Sequence, residues 1–137
     1  MKARIAFLDT GALYAFVNRN DTDHGKVVAA YRATDRFLAH SAILMETFSL
    51  VAKRLSKPLA IRLVEGVLAD PKVEVVHLTE ALKAAAWTRC VRFSDKEWDW
   101  IDCASFELME QRGVRHALTL DHHFRQAGFI PLVKPGG

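Results

Sequence analysis

Four carboxylates, Asp9, Glu46, Asp102 and Asp121, lie far apart in this chain, yet an α/β fold could gather them. Oxygen donors of this kind suit a hard divalent cation, Mg²⁺ or Mn²⁺, and do not suit structural zinc. The chemistry open to such a set is metal-assisted hydrolysis. Cys90 and Cys103 lack the C-x-x-C spacing of zinc or redox sites. The six histidines, the pair His122-His123 included, show no ligand spacing and read as surface or capping residues.

Each acid also has a plainer reading. Asp9 and Asp121 each follow an apolar run at the entry to a helix, where an aspartate can cap free N–H groups. Thr10 and Thr119 beside them could be caps, strand residues, or hydroxyls that orient the carboxylates. Asp102 falls on the apolar sector of its predicted helix, between Met109 and Phe106, and a carboxylate there costs several kcal/mol unless it is paired or binds metal. Its plainer reading is a side chain satisfied by an arginine or a helix N-terminus. Asp99, earlier in that helix, reads as a partner for the helix dipole and a secondary helper. Glu46 shares a polar helix face with Ser49 and Lys53, so only its position beside the sheet draws it toward Asp9.

The elements that must position these acids alternate. RIAFL (Arg4–Leu8), RFLAH (Arg36–His40), VEVVHL (Val73–Leu78), VRHALTL (Val114–Leu120) and FIPLV (Phe129–Val133) are short apolar runs expected as strands, the last at an edge because Pro131 has no N–H. Between them the spacing predicts helices over His24–Ala33, from Ser41, from Pro58 to about Ala69, from a Thr79 cap to about Val91, and over Trp98–Gln111 with Gly113 as its stop. Continuous apolar strands alternating with helices imply an α/β fold: a three-layer α/β/α sandwich on a mostly parallel sheet of about five strands. In such a sheet ligands bind beyond the carboxyl ends of the strands. Asp9 and Asp121 both belong to that edge.

The 137 residues suit one domain spanning 1–137. Half are hydrophobic and about a quarter charged, which opposes a disordered or fibrous chain. The apolar stretches fall short of the roughly 20 residues that cross a bilayer. Asp9 interrupts the basic, apolar N-terminal segment, which therefore reads as a strand and not a secretory signal. Two cysteines are too few for a disulfide framework, and a reducing cytoplasm is the expected location. A net charge of +3 is compatible with a polyanionic partner without demanding one.

Three stretches, FLDTGALYAF, SAILMETFSLVAKR and IDCASFELMEQRGVRHALTLDHHFRQAGF, resemble the PIN-domain nucleases, particularly the VapC-type toxins of toxin–antitoxin pairs. The resemblance covers nearly the whole chain. It implies a metal-dependent endoribonuclease in which Asp9, Glu46, Asp102 and Asp121 are the catalytic acids. Asp9 and Asp102 would be the principal metal ligands, and Glu46 and Asp121 would complete the pocket or orient water. It also implies a small antitoxin partner and a homodimer. RNA bound beside an acidic pocket needs cations nearby, and Lys53, Arg54, Arg89, Arg92 and Arg125, with Arg19 and Arg115, are the candidates. Trp100 could stack on an unpaired base, whereas Trp98 lies on the apolar stripe and reads as core.

Three other readings compete. Asp9-Thr10-Gly11 matches the D-T-G of aspartic proteases, but those are β-rich. Haloacid-dehalogenase-like phosphatases need an aspartate where Gly11 stands. A non-catalytic PIN-like module that binds RNA or protein is the remaining alternative.

Overall fold

In the computed structural model, which describes residues 3–136, the five apolar runs become five strands. Met1, Lys2 and Gly137, the ends of the expected domain span, lie outside the described residues. The strands are β1 (Ile5–Leu8), β2 (Arg36–His40), β3 (Val73–Val76), β4 (His116–Leu118) and β5 (Ile130–Pro131), in the spatial order β3-β2-β1-β4-β5. Every pairing is parallel. The helices are α1 (Thr10–Val17), α2 (His24–Ala33), α3 (Ser41–Arg54), α4 (Lys57–Ala69), α5 (Glu80–Arg92), α6 (Trp100–Arg112) and α7 (His122–Gln126).

The chain winds outward from β1 through β2 to β3, then crosses back to place β4 on the other flank of β1. Right-handed crossovers put the helices of the two halves on opposite faces. Accordingly α1 to α4 pack among themselves, and α5, α6 and α7 form a second group, giving the three-layer α/β/α sandwich. Central strands covered on both faces must be apolar throughout: Ala6, Phe7 and Leu8 are buried, as are Phe37 to Ala39. Aromatic rings fill the α6–α7 side, with Phe106 edge-on to Phe124 at 5.0 Å and Phe124 meeting Phe7 at 5.8 Å.

Most boundaries match the expected ones, and the departures have local causes. β4 and β5 are shorter than VRHALTL and FIPLV because pairing ends where the chain turns toward α7 and the C-terminus. β5 is an edge strand. Ile130 and Leu132 donate their N–H groups to Arg115 and Ala117 of the β4 segment at 2.9 Å, so Pro131 between them occupies the outward-facing slot where no N–H is required. α6 begins at Trp100, two residues later than expected, because Asp99 caps it. Trp98 stays in the preceding loop, buried, with its indole N–H donated to Gln126 at 3.1 Å.

Gly113 ends α6 in the left-handed region at φ 65°, a conformation that a Cβ disfavours. Nothing lies within 4 Å of where that Cβ would be, so the cost of Gly113→Ala is backbone strain alone. Urea denaturation should show Gly113→Ala losing about 1 kcal/mol. Gly66→Ala, in the interior of α4 with equally open space, should instead gain about 0.5–1 kcal/mol.

Candidate active site

β1 and β4 are adjacent in space but separated by most of the chain, and the winding direction reverses between them. Loops diverge at such a point and leave a crevice at the carboxyl ends of the strands. Asp9 stands at the end of β1, its N–H held by the Leu118 carbonyl at 3.1 Å. It occupies the N-cap position of α1, yet its side chain makes no capping hydrogen bond. Its Oδ2 instead accepts the Thr119 hydroxyl at 2.8 Å. That hydroxyl in turn accepts the Asp121 N–H at 3.0 Å, so one threonine joins the two strand ends. Of the readings open for Thr119, the structure shows the hydroxyl that orients a carboxylate.

Asp121 does cap: it accepts the His123 N–H at 2.9 Å. Asp102 lies in the first turn of α6, not mid-helix, in a reciprocal capping box with Asp99. Asp99 accepts the Asp102 N–H at 2.8 Å, and Asp102 Oδ2 accepts the Asp99 N–H at 3.1 Å. A helix N-terminus thus satisfies part of Asp102, as its plainer reading anticipated. His123 supplies another part, with Nδ1 3.0 Å from Asp102 Oδ2 and 3.2 Å from Asp121 Oδ2. The histidine therefore bridges two acids. Asp9, Glu46, Asp102, Asp121 and His123, with Thr10, Gly11, Leu50, Asp99 and Leu120, line one open cleft of about 460 Å³.

Burial decides the electrostatics here. Asp9 is 7% exposed, and desolvation pushes its carboxyl up to about 7, with the Thr119 hydrogen bond opposing and the charges of Asp121 and Asp102 adding to the rise. Desolvation and the neighbouring Asp99 charge lift Asp102 to about 6. Such a set resists carrying its full negative charge near neutral pH unless a cation joins it. The hydrogen bonds leave room for one: Asp9 and Asp102 both spend Oδ2 on their protein partners, and Oδ1 of each has no side-chain partner among the described residues. The donor set fits a hard divalent ion.

The supporting shell was only partly visible beforehand. Thr10 donates to the Ile43 carbonyl at 3.5 Å and accepts the hydroxyl of Thr47 at 3.3 Å, which binds the start of α1 to α3, the helix that carries Glu46. Glu46 is half-buried on the cleft wall. Beneath the site His40 is fully buried, and burial lowers it to about 4, so it is neutral. Its Nε2 lies 2.9 Å from Ser105 Oγ, and that hydroxyl donates to the Ile101 carbonyl, which leaves the proton on Nε2 and an unpartnered lone pair at Nδ1. β2 and α6 are tied one turn below Asp102.

Two sequence expectations need correction. His123 is no surface residue: it is 15% exposed at the side chain and sits between two acids, while His122 beside it is exposed. Asp121, His122 and His123 also offer ligand atoms within 4.8 Å of one another. Arg89 is not free to meet phosphate, being held by Glu110 at 2.6 Å and Glu107 at 3.5 Å. Lys53, Arg92, Arg125, Arg19 and Arg115 are exposed, and Arg54 is exposed with its guanidinium 5.7 Å from the Tyr14 ring. Thr47 and His40 carried no recognisable spacing signal. His123 had one, its position two residues after Asp121 at a helix start.

A parallel sheet with acids gathered at its switch point defines a class, and the PIN-domain family model matches residues 6–130: the chain belongs to the PIN-domain family. Among individual proteins it is similar to the 23S rRNA-specific endonuclease VapC20 of Mycobacterium tuberculosis, 29% identical over 125 residues covering 90% of this chain and 95% of that protein. The crystal structure of that VapC20, described as a sarcin-ricin loop cleaving toxin, superposes with a TM-score of 0.87 at 28% identity over 96% of this chain and 99% of that one. More distant likenesses are to DNA-bound VapBC structures. One from Salmonella typhimurium has a TM-score of 0.66 and 16% identity over 96% of this chain and 100% of that one. Another from Rickettsia felis has a TM-score of 0.65 and 13% identity over 93% and 96%. These two bear on the fold alone. Among the described residues, no helix is long and apolar enough to cross a membrane.

The raised carboxyl of Asp9 makes stability depend on pH in a defined direction. A folded-state value near 7 against an unfolded value near 3.8 means that the native state binds the proton more tightly. The contribution is therefore full below about pH 4 and lost as pH rises through 7, on the order of 4 kcal/mol in all. In metal-free buffer, Asp9→Asn should gain stability over the wild type as pH rises from 4 to 8. Thermal unfolding midpoints that track each other in parallel across this range would contradict it.

Proposed function

We propose that this chain is a metal-dependent endoribonuclease that hydrolyses RNA phosphodiester bonds and acts as the toxin of a type II toxin–antitoxin pair. The observation that carries the reading is the convergence of Asp9, Glu46, Asp102 and Asp121 on one cleft, where burial works against the ionisation of Asp9 and Asp102. Similarity to VapC20, named as a 23S rRNA-specific endonuclease, supports RNA as the substrate. The sarcin-ricin loop that VapC20 is described as cleaving is the first RNA to assay.

Asp9 and Asp102 would hold Mg²⁺ or Mn²⁺, with Glu46 and Asp121 completing the pocket. A divalent ion bound there would supply positive charge against the charge that develops on the phosphate and would acidify a water molecule. Thr119 orients Asp9, and His123 fixes Asp102 against Asp121. Asp99 holds the first turn of α6 on which Asp102 rides. Lys53, Arg54, Arg92 and Arg125 are exposed cations available to backbone phosphates. Binding through them should weaken as salt rises. A small antitoxin protein and a second copy of the chain are the expected protein partners.

Cleavage of a labelled sarcin-ricin RNA should require Mn²⁺ or Mg²⁺ and stop with EDTA. Asp9→Asn and Asp102→Asn should each lower kcat/KM by about a hundredfold or more, with circular dichroism and RNA binding retained. His123→Ala should cost roughly tenfold through loss of carboxylate alignment. RNA bound but left uncut by wild-type protein in Mn²⁺ would support a non-catalytic PIN-like binding module instead.

A further inference from the structure

We propose that a second depression, sharing a wall with the acidic cleft, holds the RNA nucleotide next to the scissile phosphate, with Arg125 and Lys134 on its backbone phosphate; the proposal rests on the ribonuclease reading above. The depression has a volume of about 250 Å³ and is lined by Leu120, Asp121, Arg125, Pro131, Lys134 and Pro135, together with Thr119 and His122. Leu120 and Asp121 also line the cleft. Thr119, in the depression, donates its hydroxyl to Asp9, in the cleft, at 2.8 Å. The rings of His122 and His123, one lining each space, lie 4.6 Å apart. A strand whose phosphate meets Asp121 in the cleft can therefore place its neighbouring nucleotide on the far side of the same residue.

Charge selects the occupant. The residues that line the cleft include no lysine or arginine, so a phosphate beside the acids needs its cations from an adjoining surface. Arg125 and Lys134 are exposed, and among the described residues they make no ion pair, in contrast to Arg89 and Arg112. The one carboxylate in the depression, Asp121, lies 3.2 Å from His123 and 3.7 Å from His122. Leu120, Pro131 and Pro135 supply apolar surface for a base or ribose to pack against. The volume falls just below the roughly 300 Å³ at which pockets begin to enclose a drug-sized ligand. One nucleotide fits; a protein helix about 10 Å across does not. The wall is also held in place. Lys26 of α2 donates to the Lys134 carbonyl at 2.5 Å, and Gly136 donates its N–H to the buried Asp23 at 3.1 Å. Lys26 and Asp23 are themselves paired at 3.2 Å. These bonds use the backbone of the C-terminal segment and leave the Lys134 side chain for a ligand.

The test uses the full chain, carrying Asp9→Asn, with Mg²⁺ and a fluorescein-labelled single-stranded RNA followed by anisotropy. Arg125→Gln and Lys134→Gln should each weaken the Kd about fivefold or more and lower the slope of log Kd against log salt by about 0.7. Arg62→Gln makes the same charge change on exposed α4, at a separate depression, and should leave both quantities nearly unchanged. Equal losses in all three variants would trace the effect to net charge and overturn the subsite. Unchanged affinity in folded Arg125→Gln and Lys134→Gln would do the same, as would a dimer lost in sedimentation by these variants while RNA affinity holds, since the depression would then join copies. A neutral methylphosphonate moved one linkage at a time along the RNA should weaken binding at one linkage, and should cost nothing further there once Arg125→Gln and Lys134→Gln are combined. The two readings fail separately. RNA cut equally well by wild type, Arg125→Gln and Lys134→Gln sinks the subsite and leaves the nuclease intact, whereas Lys134-dependent binding of RNA that the wild type never cuts in Mn²⁺ does the reverse.

Discussion

The structure turns on a carboxylate placed where it does not want to ionise. Asp9 sits at the end of the central strand, walled by α1, by the β4 end and by a buried threonine, and its desolvation outweighs the hydrogen bond it accepts. That placement follows from topology. β1 is the first strand in the chain and the middle strand of the sheet, and the reversal of winding beside it leaves its carboxyl end open as a crevice. The flanking strand then brings Thr119 against Asp9 and leads to Asp121. Every other acid arrives by a helix that begins at the same edge.

Much of this arrangement was legible in the chain. Apolar runs bounded by polar residues located all five strands, and β2 and the start of α3 fell where periodicity put them. These signals are strong because a strand buried on both faces tolerates few polar residues. Asp9 and Asp121 could be placed at one rim because each follows a strand at the entry to a helix, and Glu46 because its helix follows β2, whereas Asp102 was singled out by its place on an apolar helix face and by the family resemblance. What stayed hidden depends on contacts between residues distant in sequence. His123 looked like half of an exposed pair, since no periodicity distinguishes a ring turned toward Asp102 from one turned toward water. Arg89 looked like any basic residue until Glu107 and Glu110 of α6 met it across the helix pair. The His40–Ser105 bond spans β2 and α6 and leaves no trace in either segment alone.

Asp102 illustrates how a local error of register alters an argument without reversing it. A helix begun at Trp98 makes this carboxylate an anomaly on an apolar stripe. With the helix begun at Trp100, it becomes the third residue of a capping box, where an acid is ordinary. Capping explains Oδ2 and the sequence pattern. It does not explain why the same oxygen also meets His123, or why burial and Asp99 raise the group to about 6. One residue serves helix initiation and the site together, and the cap holds the carboxylate in place before any ligand arrives.

A site built this way opposes its own stability. Repulsion among Asp9, Asp102 and Asp121, with the desolvation of the first two, acts against the native state at neutral pH and costs most where the cleft is empty. A cation that binds the native cleft and not the unfolded chain offsets that cost in proportion to its concentration over its Kd. The rest of the fold must therefore hold the loops apart from any ligand, and its ties are arranged to do so. Thr119 clamps β1 to β4, Thr10 and Thr47 clamp α1 to α3, and His40 clamps β2 to α6. Two of the three are neutral hydrogen bonds that touch none of the acids, and the third spends a single oxygen of Asp9. Most of the positioning is thus done by buried neutral groups and does not draw on the carboxylates themselves.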